Sequence, residues 1–233
     1  MLQKHIKDEL IILKRNTVNE KDTLIIAFGR FSGKILLKAR GSKNINSRFI
    51  GRLEPLTVIK AQIYNSGKSL TLTGAEAITA PPLAPSYRNF EINQIICKIL
   101  CSTLPNEEAN PSIFEDLKEV IEVIREETKE DEALLIFYMK YLKDSGHLPV
   151  LNQCFSCTSK LTDSAYMDGR GHLLCNACAK ENEGYINLSV EQLKVMNYYS
   201  STPTKRALGL TLPDRTKEEL KENLPKIVDR SFD

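Results

Sequence analysis

Gly33-Lys34-Ile35-Leu36-Leu37-Lys38-Ala39-Arg40 alternates along its length. The two-residue period of a strand puts Ile35, Leu37 and Ala39 on one face and Lys34, Leu36, Lys38 and Arg40 on the other. One side suits a core, and the other carries cations outward. On its amino-terminal side, Leu10-Ile11-Ile12-Leu13 and Thr23-Leu24-Ile25-Ile26-Ala27-Phe28 are equally β-rich, and Arg30-Phe31-Ser32-Gly33 is a short connection. On the other side, Pro55 opens a strand through Tyr64, and Asn65-Ser66-Gly67-Lys68 turns the chain into Ser69-Leu70-Thr71-Leu72-Thr73. Five short strands without a helix signal predict a small closed barrel, with the oligonucleotide-binding barrel as one candidate.

The segment between the third and fourth strands, residues 40–52, holds Arg40, Lys43, Arg48 and Arg52 and no acid. Such a loop can follow a phosphate backbone while Phe49 offers a stacking face. Alternatively, Phe49 and Ile50 tuck into the barrel mouth and the loop is a solvated connection.

The net charge of +2 conceals an uneven distribution. Residues 1–80 carry fourteen Lys and Arg against six Asp and Glu, and residues 81–146 carry seven against thirteen. A basic third followed by an acidic third predicts separate domains with different partners. Ala80-Pro81-Pro82-Leu83-Ala84-Pro85 marks the boundary, because clustered prolines continue neither ladder nor helix. The expected organisation is a barrel over residues 1–79, a linker over 80–86, and a helical domain over 87–233 with a cysteine module near 150–180. The fold class is therefore α+β and multidomain.

Beyond the linker, Ile92, Ile95, Ile96, Ile99 and Leu100 form one helical stripe that Phe90, Cys97, Cys101 and Leu104 widen. Asn110-Pro111 caps a second helix with Ile113, Leu117, Val120, Ile121 and Ile124 inward. A third carries Leu134, Leu135, Tyr138, Met139 and Leu142 and stops at Ser145-Gly146. Leu188-Ser189-Val190-Glu191-Gln192-Leu193 reads as a capping box with a hydrophobic staple opening a helix to about Tyr199. Thr216-Lys217-Glu218-Glu219 is a second box, and Pro225 is expected to break or restart its helix.

Cys154-Phe155-Ser156-Cys157 and Cys175-Asn176-Ala177-Cys178 are two CxxC pairs separated by seventeen residues. Each two-residue spacer lets its sulfurs turn toward one centre, and Asp168-Gly169-Arg170-Gly171 reverses the chain between them. Four sulfurs complete a tetrahedral shell with no open position for water, so the ion is structural. A redox dithiol would leave the second pair unexplained. His172, three residues before Cys175, is the other possible ligand.

Apolar runs are too short to span a bilayer, the charged amino terminus predicts no secretory signal, and cysteines in metal spacing suit the cytoplasm. The histidines are His5, His147 and His172, and no His, Asp or Glu cluster has catalytic spacing, so the chain is not expected to be an enzyme.

The chain resembles the bacterial recombination and repair mediator family RecO. Three places carry the resemblance. They are Leu13-Lys14-Arg15 with Asn19-Glu20-Lys21-Asp22-Thr23-Leu24, the segment from Gly33-Lys34 through Ser47-Arg48 to Leu53-Glu54-Pro55, and Gly146-His147-Leu148-Pro149 running into Cys154-Phe155-Ser156-Cys157. It implies an oligonucleotide-binding barrel and one structural zinc ion on Cys154, Cys157, Cys175 and Cys178. It also implies DNA contacts at Lys14, Arg15, Lys34, Lys38, Arg40, Lys43, Arg48 and Arg52. The implied function is binding of single- and double-stranded DNA, annealing of complementary strands, and loading of RecA on coated single strands with RecR. The implied partners are DNA, RecR and the carboxyl-terminal tail of the single-stranded DNA-binding protein, at the bacterial nucleoid and not at a membrane. The alternative is a zinc-containing RNA- or ribosome-associated binding protein.

Overall fold

A computed structural model describes residues 4–79, 86–126, 128–179 and 184–232. Alternating β-branched residues build five strands: β1 (His5–Thr17), β2 (Thr23–Gly29), β3 (Gly33–Ala39), β4 (Val58–Asn65) and β5 (Leu70–Ala77). They close a barrel in the order β1-β2-β3-β5-β4, the last contact being the parallel pairing of β3 with β5. At thirteen residues β1 is long enough to pair with β4 through its first half and β2 through its second. A register shift between Ile12 and Lys14 bends it between the two. Inward positions follow the period of two. Ile12, Ile25, Ile35, Leu37, Ala39, Ile59, Ile63 and Leu72 fill the interior.

The strand predicted from Pro55 begins instead at Val58. Residues 41–57 are a chain of tight turns, with Asn44, Ser47, Ile50 and Arg52 each donating an N–H to the carbonyl three residues back. These turns lower Phe49 into the barrel, where it is 3 % exposed. The stacking role considered for Phe49 is therefore excluded, and the tucked alternative holds for Phe49. Ile50, beside it, points outward.

Ala80-Pro81-Pro82-Leu83-Ala84-Pro85 lies outside the described residues. Directly after it, Ser86 caps α1 (Tyr87–Thr103), its side chain accepting from Asn89 N. Ile92, Ile96, Cys97 and Leu100 are buried, whereas Phe90, counted in the apolar arc, is 54 % exposed. Asn110 caps α2 (Pro111–Arg125) by accepting from Ile113 N, with Pro111 at the first helical position, where its missing donor costs nothing.

Both helices lie against the barrel. Phe114 of α2 meets Phe28 of β2 at 5.9 Å, Lys118 pairs with Glu9 at 3.2 Å, and Arg30 pairs with Glu115 at 3.0 Å. Asn89, fully buried, donates to the Ile124 carbonyl at 2.6 Å and ties α1 to α2. The compact units are accordingly Met1–Glu130 and Asp131–Asp233. Helices α1 and α2 fall in the first unit because they pack on the strands.

The second unit contains α3 (Glu130–Asp144), α4 (Val190–Ser201), α5 (Thr204–Ala207) and α6 (Asp214–Phe232). It also holds a three-stranded antiparallel sheet that the sequence reading did not anticipate: β6 (Ser164–Met167), β7 (Leu173–Leu174) and β8 (Ile186–Ser189), in the order β7-β6-β8. Helix α3 is buried around its whole circumference from Ala133 to Leu142. The capping box at α4 forms as read, with Ser189 and Gln192 satisfying each other's backbone N–H.

At α6 the structure differs in two respects. The helix begins at Asp214, so Thr216 is a buried helical residue and not a cap. It also continues through Pro225, which gives up one backbone hydrogen bond. The buried row Leu220, Leu224, Ile227 and Val228 offsets that loss, together with pairs from Lys217 to Glu132 at 2.8 Å and from Lys221 to Asp131 at 3.1 Å. Among the described residues no helix is long and apolar enough to cross a membrane.

Candidate metal centre and nucleic-acid surface

Each CxxC pair sits in a tight turn whose backbone hydrogen bonds close on its own first cysteine. Thr158 N donates to the Cys154 carbonyl at 2.9 Å, while Cys178 N and Ala179 N donate to the Cys175 carbonyl at 3.0 and 2.8 Å. The two turns are brought together by the β6–β7 hairpin. Its reversal rests on Asp168, whose Oδ1 accepts from Arg170 N at 2.8 Å and His172 N at 2.9 Å. Phe155 N then donates to the Leu173 carbonyl at 2.7 Å, fastening the first turn to the strand that leads into the second.

The four Sγ atoms of Cys154, Cys157, Cys175 and Cys178 consequently lie within 4.8 Å of one another. Cys157 and Cys175 are 3.7 Å apart. The edge of a tetrahedron with zinc–sulfur arms of about 2.3 Å is about 3.8 Å, so the cluster has the size of a closed tetrahedral thiolate shell. His172 is not part of it. Its ring stacks on Phe155 at 3.8 Å and its Nδ1 lies 3.2 Å from Asp168 Oδ2.

The electrostatics of the four sulfurs suit a cation. Burial works against the Cys154 thiolate, yet the backbone N–H groups of Cys157, Cys175 and Ser156 outweigh it and bring the thiol down to about 6. The Ser159 hydroxyl and N–H lower Cys157. The neighbouring Cys157 and Cys175 push Cys178 up to about 12, a crowding of negative charge that a divalent ion relieves. Cys97 and Cys101 take no part. Burial raises the Cys97 thiol to about 12, and burial also raises Cys101 although Lys34 and Lys14 oppose it.

On the barrel, the eight cations expected to meet DNA fall into different settings. Lys14 lies opposite Ile26, which lies opposite Leu36, on the outer wall formed by β1, β2 and β3. Lys34, on the same wall, is half-buried and donates from Nζ to the Cys101 carbonyl at 2.9 Å. Lys38 pairs with Asp22 at 3.2 Å and Arg15 with Glu54 at 2.6 Å, while Lys43 donates to the Asn19 carbonyl at 3.3 Å. Arg40 and Arg48 are exposed, and the Arg48 guanidinium stands 5.2 Å from the centre of the Phe49 ring. Arg52 donates to the Arg48 carbonyl at 2.6 Å and the Ala75 carbonyl at 2.9 Å.

Of the eight, Arg48 and Arg52 line a cleft of about 620 Å³ along the paired segments of β1, β4 and β5. The other lining cations are Lys7, Arg30 and Lys60, which the sequence reading passed over. It also treated Phe31, on the rim, as part of a plain turn. The available signal was a lone aromatic between Arg30 and Ser32-Gly33 at a hairpin tip, where neither face of a strand demands it.

A five-stranded oligonucleotide-binding-type barrel with cations on its surface, joined to a helical unit bearing four cysteines placed to hold a metal ion, defines a class of barrel proteins with a cysteine module. Two family models narrow that class: "Recombination protein O N terminal" matches residues 1–81 and "Recombination protein O C terminal" matches residues 87–232. The chain belongs to the recombination protein O family of DNA repair proteins. It is similar to the DNA repair protein RecO of Caldanaerobacter subterraneus subsp. tengcongensis, with 23 % identity over 96 % of this chain and 91 % of the relative. It is likewise similar to RecO of Clostridium acetobutylicum, with 23 % identity over 97 % and 92 %, and to RecO of Bacillus subtilis, with 23 % over 93 % and 85 %.

Proposed function

We propose that this protein binds single- and double-stranded DNA through its barrel, anneals complementary strands, and helps load RecA on coated single strands together with RecR. It would act in the bacterial cytoplasm at the nucleoid, docked on the carboxyl-terminal tail of the single-stranded DNA-binding protein. Membership of a family of DNA repair proteins supports this reading. The observation that carries it is the cation set on the barrel: Lys14, Arg15, Lys34, Lys38, Arg40, Lys43, Arg48 and Arg52.

Annealing needs no bond to be made or broken. Two strands must have their phosphate repulsion neutralised while their bases stay free to pair, and Lys and Arg contacts do this with release of counterions. The protein would therefore act without catalytic residues. Zinc, held by Cys154, Cys157, Cys175 and Cys178, would supply fold stability to the helical unit and no chemistry.

The test is strand annealing by purified protein across a salt series, on bare and coated single strands, beside the variant Lys38→Ala/Arg40→Ala/Arg48→Ala. Annealing that falls steeply with salt, and a triple variant with weaker binding and a flatter salt slope, are the expected results. Complementary strands left apart at low ionic strength would overturn the reading. RNA outcompeting DNA of the same sequence would replace it with an RNA-binding role.

A further inference from the structure

The tip of the β2–β3 hairpin displays an aromatic ring and is held in place more firmly than a surface turn requires. Phe31 is 70 % exposed, so its ring removes little apolar surface from water. Its backbone is nonetheless anchored on a buried carboxylate. Asp8 Oδ2 accepts from the Ser32 hydroxyl at 2.6 Å, from Ser32 N at 2.9 Å and from Phe31 N at 3.2 Å, while Oδ1 accepts from Glu9 N at 2.8 Å. The carboxylate reaches this position because residue 29 is glycine, where a Cβ would stand 2.6 Å from Asp8 Oδ2. Folding thus fixes the turn at Phe31 before any ligand arrives.

The ring stands on the rim of the 620 Å³ cleft. Three acids also line that cleft, and two of them are engaged within the fold. Asp8 is used by the turn, Glu9 pairs with Lys118 at 3.2 Å, and Glu76 lies opposite Lys60 across the β4–β5 ladder. Lys7 and Arg48 line it with no acidic partner among the described residues. Exposed cations next to a preset aromatic face form the arrangement that binds unstacked nucleotides, with cations on phosphates and the ring on a base of any identity. In a duplex the bases already stack on one another and offer no face.

Resting on the reading that the barrel binds DNA, we infer that Phe31 is a stacking platform for one base of a single strand whose phosphates lie along Lys7 and Arg48. Asp8 is its positioning residue. The chain has no tryptophan, so Phe31→Trp installs one indole reporter on the proposed platform.

Oligothymidine is titrated into the Phe31→Trp protein with emission and anisotropy read together, and into the wild type, Phe31→Ala and Phe90→Ala proteins. The expected results are quenching of Trp emission with the midpoint of the anisotropy curve, and single-strand affinity in Phe31→Ala lower by about 5- to 150-fold. The ratio of single-strand to duplex affinity falls with it, while the Phe90→Ala control keeps both. In the Phe31→Trp background, Asp8→Asn or Ser32→Ala reduces the quench and leaves the salt slope unchanged. Wild-type affinity in Phe31→Ala together with unquenched Trp emission at saturation overturns the stacking role and leaves the cation surface standing. A wild-type protein that binds no oligothymidine at low salt overturns both. A full quench in Asp8→Asn and Ser32→Ala overturns the positioning role.

Discussion

Lys34 Nζ donates to the carbonyl oxygen of Cys101, 2.9 Å away across 67 residues of chain. Cys101 lies in the last turn of α1, a helix with no basic residue of its own there, so a strand of the barrel supplies the cation that this helix end lacks. Glu107 N also donates to the Lys34 carbonyl at 3.0 Å, so backbone and side chain of one residue both hold the segment after α1 to β3.

Lys34→Ala is therefore expected to act on stability before it acts on DNA. Loss of a half-buried charge-assisted hydrogen bond costs about 1.5–3 kcal/mol. Urea denaturation reads that loss, and DNA affinity should change less than in Arg40→Ala. Equal stability with weakened DNA binding would make Lys34 a DNA contact alone, with no structural share.

Asp22 restrains a cation of the same wall. Its carboxyl sits below the ordinary value of 3.8, chiefly because Gly41 N donates to it, with Lys38 and Asn19 adding to the effect against burial. A carboxyl lowered by folding contributes stability at pH above its ordinary value, and that contribution disappears as pH falls through the lower folded value. Asp22→Asn is expected to flatten the acid limb of a stability-versus-pH curve. It also releases Lys38, so at neutral pH the salt dependence of DNA binding should steepen by roughly one phosphate contact, 0.7–0.9 in log–log slope.

Removal of metal should be felt through the hairpin that joins the two cysteine turns. Chelation, or Cys157→Ser, leaves three or four crowded thiols whose ordering rests on hydrogen bonds such as that from Phe155 N to Leu173 O. The expected outcome is a stoichiometry of one zinc per chain before treatment, and afterwards a loss of several kcal/mol in thermal or chemical denaturation. Oligothymidine affinity of the metal-depleted protein, measured below its new melting point, tests whether the ion is architectural. A structural ion leaves it unchanged.

Two glycines with nearly the same backbone angle separate strain from crowding. Gly33 has φ +67 and a Cβ there would run into the Glu108 backbone, whereas Gly51 has φ +68 and nothing within 4 Å. Gly51→Ala is expected to cost about 1 kcal/mol, the penalty of a left-handed alanine alone. Gly33→Ala adds a clash with main chain that cannot yield, for a loss of about 2–4 kcal/mol. Comparison of the two melting curves checks the difference.

What could be read from the chain alone rests on relationships a few residues long. Alternation at Ile35, Leu37 and Ala39 decides which face of β3 is core because side chains in any strand alternate. The CxxC spacing decides that each pair shares a centre because two residues suffice for the turn. The Ser189–Gln192 box decides where α4 begins because both partners lie in its first turn.

Tertiary packing decided the remainder, in each case through a contact distant in sequence. Phe49 and Phe31 are both lone aromatics in basic loops, yet one fills the barrel and the other projects to solvent with the Arg30 guanidinium 5.5 Å from its ring centre, because the turns after Gly41 lead inward and Asp8 holds its turn outward. Lys34 looks like its neighbour Lys38 until α1 ends above it. Pro225 reads as a break until the apolar row from Leu220 to Val228 is buried around it. Local periodicity specifies which residues face a core. Which face a partner element then covers depends on where the whole chain brings that element, and only the folded structure holds that information.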